Sequence, residues 1–117
     1  MKHQKDDLIF LKHINDAIEK ILEYTSKNDF EIFIESDWDQ DAVMRNLEVI
    51  GEAAARISNE FKLNHPIIEW KEMKDMRNVL IHDYSEVDAQ LVWQTITEDI
   101  PSLHKKITQL FRFYTIF

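Results

Sequence analysis

Residues 76–84 read Met-Arg-Asn-Val-Leu-Ile-His-Asp-Tyr, so a guanidinium, an amide, an imidazole, a carboxylate and a phenol fall within one short stretch. Arg77 can grip a phosphate through two parallel N–H bonds. His82 can take or give a proton near neutral pH, and Asn78 can orient either group. On a helix turning about 100° per residue, Asn78 and His82 share a face, whereas Arg77 and His82 differ by about 140°. One straight helix therefore aims both at a small substrate only if it ends near His82 or if another surface completes the site. Ordinary structural roles are also open: a dipole partner for His82, ion pairs with Glu72 or Asp75 for Arg77, and a core position for Tyr84. From spacing alone these roles outweigh a catalytic site, because short motifs recur by chance.

Other chemistries have weaker claims. His3, His13, His65, His82 and His104 show no metal-ligand spacing, and Cys is absent, so no metal site and no thiol nucleophile are expected. Asp6-Asp7 reads as helix N-cap material. A single glycine cannot form a Gly-rich phosphate loop. Trp38, Trp70 and Trp93 could stack on bases, although packing is the expected role of Trp70 and Trp93. Arg45, Asn46, Glu48, Glu52 and Arg56 could line a cleft or face solvent.

The elements that must position these groups are helical. Leu8, Leu11, Ile14, Ile18, Ile21 and Leu22 recur at steps of three and four, predicting a helix over roughly 6–24. A short helix is expected around Phe30 to Ile34. Asp39 or Asp41 can cap a long helix carrying Val43, Leu47, Ile50, Ala54, Ile57 and Phe61. Gly51 inside it weakens helix propensity by about 1 kcal/mol relative to Ala, which close approach of another helix would offset. Asn64-His65-Pro66 ends that segment. The next helix starts near 67–71 with Met73, Met76, Leu80 and Tyr84 as its apolar stripe, and Ser85 to Asp88 forms a break with an N-cap. Leu91, Val92, Ile96, Ile100, Leu103, Ile107, Leu110 and Phe111 carry the last segment, which Pro101 should kink or split.

The 117 residues are one domain's worth, 1–117, and large enough to bury a core without disulfides or a structural metal. One Gly and two Pro make a many-stranded β-fold improbable, so the expected class is all-α, an up-and-down four-helix bundle. No secretory or membrane-spanning pattern is visible, which points to a cytoplasmic protein. The net charge of −8 argues against a broad basic face that coats nucleic acid. Much of it comes from Asp29, Glu31, Glu35, Asp37, Asp39 and Asp41; setting these six aside leaves −2, so an acidic substrate could still meet a locally neutral or positive surface.

Arg77, four intervening residues and His82, followed by Tyr84, resemble the Arg-x4-His-x-Tyr motif of the HEPN superfamily. More narrowly, the chain resembles the HepT-type ribonuclease toxins that pair with a minimal nucleotidyltransferase antitoxin, MntA. Residues 45–53 are similar to that family's central helix, Trp70 to its tryptophan before the motif helix, and Val87-Asp88 through Trp93 to Leu103 to its last helices. Where the family often has Gly and an aromatic, this chain has Asp83 and Ser85. The Asp83 carboxylate could orient the imidazole or weaken phosphodiester binding.

The resemblance implies a HEPN bundle, with an extra short helix and a kinked or split last helix, that dimerises and cleaves RNA without a metal or cofactor. Arg77, His82 and Asn78 would be catalytic, and Asp83, Arg45, Asn46 and Glu52 could line the cleft. It further implies a type VII toxin-antitoxin module in which an MntA-like nucleotidyltransferase places AMP on Tyr84, with a homodimer that can sit inside a larger hetero-oligomer. The physical requirement agrees: metal-free cleavage needs a base for the 2′-hydroxyl, an acid for the 5′-oxygen and a cation on the phosphorane, and two copies of the motif supply all three. The alternative is a non-catalytic HEPN protein that binds nucleotide or substrate for a separately encoded nucleotidyltransferase.

Overall fold

A computed structural model describes the backbone over residues 4–82 and 89–114, and side chains over 4–77 and 89–114. Every regular element among these residues is helical, so the all-α expectation holds. Helix α1 runs Gln4–Lys27, α2 Phe30–Glu35, α3 Asp37–Arg56, α4 Asn59–Asn64, α5 Trp70–His82, α6 Ala89–Gln94 and α7 Ile100–Tyr114, with a π-helical turn at Thr95–Asp99 between the last two. None is long and apolar enough to cross a membrane.

The expected short helix is α2. Asp29 caps it by accepting from the Ile32 N–H at 3.0 Å. Helix α3 is capped by Ser36 rather than by Asp39 or Asp41: the Ser36 hydroxyl accepts from the Asp39 N–H at 3.1 Å, so the helix opens earlier than either aspartate would start it. Asp39 is used across the bundle, its carboxylate accepting from the Tyr24 hydroxyl at 2.7 Å. Burial, and then Asp39, push the Tyr24 pKa well above the usual phenol range.

The long helix read through to Phe61 is two helices. α3 stops at Arg56, Ile57 turns extended, and the Ser58 hydroxyl accepts from the Phe61 N–H at 3.2 Å to start α4. What stabilises the break is Asp7, only 1% exposed, whose two carboxylate oxygens accept from the Ser58 N–H at 2.8 Å and the Ser58 hydroxyl at 2.6 Å. Asp7 therefore bolts the start of α1 to the α3–α4 corner instead of capping its own helix. Ile57 and Phe61 remain core residues because α4 resumes with its apolar side still inward.

The bundle is up-and-down. Asp7 meets Ser58 while Tyr24 meets Asp39, so α1 and α3 run antiparallel. His104 reaches Glu19 at 3.6 Å, while Phe61, near Asp7, stacks on Tyr114 at 5.7 Å; α7 thus also opposes α1. Leu11, Ile14 and Ile18 of α1, Leu47 and Ile50 of α3, Met73 of α5 and Ile96, Ile100 and Ile107 of the last segment form one buried core. The split before Pro101 takes the form of the π turn, where the Ile100 N–H reaches back to the Thr95 carbonyl. Pro101 has no N–H to continue an α-helical ladder, and the wider turn absorbs the mismatch. Leu91, assigned inward from its spacing, is 52% exposed, because α6 lasts six residues and turns only Val92 fully inward.

Candidate active site

Gly51 explains where Arg77 sits. A Cβ built on Gly51 would lie 2.9 Å from the Arg77 Cβ, 3.0 Å from the Arg77 N and 3.2 Å from the Lys74 carbonyl. The backbone of α5 thus passes α3 at a distance only glycine allows. That close approach offsets the lost helix propensity. Below this crossing, Trp70 is buried, donates its indole N–H to the His65 carbonyl at 2.9 Å and packs edge-on against Phe61. The start of α5 is further held by an ion pair between Glu69 and Lys106 of α7. Arg77 is therefore carried on a helix pinned at two heights.

The Arg77 side chain is half-buried, and it takes part in no ion pair or hydrogen bond among the described residues. Its expected acidic neighbours are otherwise placed: Asp75 pairs with Lys71 at 3.3 Å, and Glu72 is exposed. A half-buried guanidinium with no donor committed among the described residues is suited to an anionic ligand. Asn78 and His82 lie one turn apart on α5, on the same helix as Arg77, and among the described residues that helix runs as far as His82. Asp83 and Tyr84, like Ser85 to Asp88, lie outside the described residues.

The residues proposed for the cleft wall behave differently from one another. Arg45 is exposed and pairs with Glu48 at 3.6 Å, and Asn46 returns its amide N–H to the Ala42 carbonyl at 2.9 Å; both interactions stay within α3. Glu52 is exposed and directly follows Gly51, which places it beside the α3–α5 crossing. Trp93 packs on Phe33 at 5.4 Å and Phe30 at 6.0 Å, whereas Trp38 is 83% exposed. Among the described residues no group of three or more His, Asp or Glu side chains is gathered as a cation site.

A second polar cluster, not foreseen, joins Asp7, Ser58, His65 and Tyr114. His65 Nε2 and the Tyr114 hydroxyl are 2.6 Å apart, with Phe61 and Phe113 around them. Burial pushes the His65 pKa down; burial, and then Asp7, push that of Tyr114 up. The Ser58 hydroxyl donates to a carboxylate and caps a helix, so it is committed as structure rather than poised as a nucleophile. The readable signal was Ser58-Asn59-Glu60, a cap residue followed by an acid in the first turn.

The family model described as ribonuclease HepT-like matches residues 14–110. The chain is 47% identical to "Probable ribonuclease HepT" of Thermococcus cleftensis, over 94% of this chain and 98% of that protein. It is 38% identical to "Putative RNase MJ1380" of Methanocaldococcus jannaschii, over 89% of this chain and 95% of that one. It is also 41% identical, over 92% of its length, to "Gamma-glutamylcyclotransferase and putative RNase MJ0434" of the same organism, of which it spans 48%. No solved structure matches the chain.

Proposed function

Because the chain belongs to the ribonuclease HepT-like family, we propose that it is an endoribonuclease that needs no metal, with Arg77 and His82 as its catalytic groups and Asn78 supporting them. The observation that carries this reading is Arg77 itself: half-buried, without a carboxylate partner among the described residues, and pinned against Gly51 on the helix that also carries Asn78 and His82. Two copies of the chain meet at the α5 ends. One His82 removes the 2′-hydroxyl proton as that oxygen attacks phosphorus. The Arg77 guanidinium holds the non-bridging oxygens, and the partner's His82 gives a proton to the departing 5′-oxygen. The phosphate ends as a cyclic 2′,3′ diester and the leaving strand as a 5′-hydroxyl, so protons balance.

In the cell this activity is that of a toxin, restrained by an MntA-like nucleotidyltransferase that adds AMP to Tyr84. Added phosphates beside Arg77 would occupy its donors and repel RNA. The deciding experiment is RNA cleavage in the presence of EDTA by the wild type and by His82→Ala. Cleavage by the wild type alone supports the assignment, and equal cleavage by the variant overturns it.

A further inference from the structure

Although the chain carries a net charge of −8, it gathers cations next to Arg77. Lys74 precedes Arg77 by three residues on α5, a spacing that sets side chains on adjoining positions of one helix face, with Cβ atoms about 5–6 Å apart. Phe61 of α4 meets Trp70, the first residue of α5, with ring centroids 6.2 Å apart; Lys74 stands one turn beyond Trp70, and Lys62 follows Phe61. Burial of its stem, and then the nearby Lys74 ammonium, push the Lys62 pKa down, so the two charges feel each other.

Neither lysine has an ion pair or hydrogen bond among the described residues. The one carboxylate that favours charged Lys62, Asp7, has both oxygens occupied by Ser58. Lys12, Lys27 and Lys71, by contrast, lie against Asp16, Glu23 and Asp75. Two like charges held together cost free energy in the empty protein, and a polyanion repays it by passing over both.

We infer that Lys74 and Lys62 continue the Arg77 site as a phosphate track, taking the RNA backbone from the end of α5 down toward α4 and binding it without regard to base. The inference rests on the ribonuclease reading and adds to it the path of the strand. Contacts of this kind position a substrate and carry no sequence information. Their signature is salt: each phosphate contact on a single strand adds about 0.7 to the slope of log affinity against log salt.

The test uses the full-length protein and a 2′-O-methyl RNA oligonucleotide, which binds but offers no 2′-hydroxyl, followed by fluorescence anisotropy from about 50 to about 200 mM salt. Lys62→Gln/Lys74→Gln should lower the slope by about 1.4, so that the wild type loses about sevenfold more affinity than the variant across that range. Lys62→Arg/Lys74→Arg should restore the wild-type slope, which a merely structural role would not require. Lys12→Gln/Lys27→Gln, which removes the same charge from other surfaces, should leave the slope alone.

If the wild type cleaves RNA but Lys62→Gln/Lys74→Gln leaves the slope unchanged, or lowers it no more than the Lys12 and Lys27 pair does, the track is refuted and the ribonuclease assignment stands. If the wild type neither binds the oligonucleotide nor cleaves RNA, both fall.

Discussion

Replacing Gly51 with alanine sets two effects of known size against each other. In an isolated helix the change should stabilise by about 1 kcal/mol. In this bundle the new methyl would stand 2.9 Å from the Arg77 Cβ and 3.0 Å from its N, with ordinary contact beginning at 3.4 Å, so α5 must retreat by at least about 0.5 Å. The atoms in the way are backbone and Cβ, which cannot rotate aside. Overpacking of this kind costs about 1–3 kcal/mol. The net expectation is a loss of roughly 0–2 kcal/mol, or a melting temperature lower by up to about 8 °C at about 4 °C per kcal/mol.

Activity should suffer more than stability. Arg77 sits at the contact, and a misplacement of about 1 Å can cost about a hundredfold in rate, so kcat/KM on RNA should fall about ten- to a hundredfold. Thermal unfolding by circular dichroism and steady-state cleavage measure the two quantities on one preparation. Exposed Ala42 in the same helix calibrates the propensity term, since Ala42→Gly should cost about 1 kcal/mol with cleavage intact. A Gly51→Ala protein that gains the full helix-propensity increment and cleaves RNA normally would refute the account of the α3–α5 crossing.

Other consequences are equally direct. Arg77→Lys keeps the charge but loses the planar two-point grip, so cleavage should drop by at least about tenfold; unchanged rates would reduce Arg77 to a generic cation. Asp7→Ala and Ser58→Ala should each destabilise by about 2–3 kcal/mol in urea unfolding, yet the double variant should lose less than their sum, because the Ser58 hydroxyl–Asp7 bond is lost in both; strict additivity would contradict the buried latch. His65 has a lowered pKa when folded, so the unfolded chain takes up its proton first: its contribution to stability is intact above about pH 6.5 and is lost as pH falls below that toward the folded pKa. His65→Gln should flatten the wild type's loss of stability between about pH 7 and 5, and an unchanged slope would remove His65 as its source. Co-expression with the cognate nucleotidyltransferase should add AMP mass steps to the wild type and none to Tyr84→Phe; AMP still attached to the variant would move the acceptor elsewhere.

Which segments are helices, and which faces they bury, was legible in the sequence because both follow from local periodicity. The stripe from Leu11 to Ile21 and that from Val43 to Ala54 became the buried faces of α1 and α3. Gly51 beside small residues announced a close crossing, and the crossing is there. Periodicity failed where a tertiary partner decided the matter. Ile57 and Phe61 keep helical spacing across a break, and the break is held by Asp7, a residue 51 positions away that no local window contains. The same limit applies to the site. Arg77, Asn78 and His82 could be picked out by residue type and order, but spacing alone could not say whether Arg77 is neutralised by Asp75 or left uncommitted. That depends on Lys71 taking the carboxylate and on α3 clamping the helix backbone. Nor could the sequence show that Phe61 of α4 meets Trp70 of α5, the contact that sets Lys62 and Lys74 on neighbouring elements.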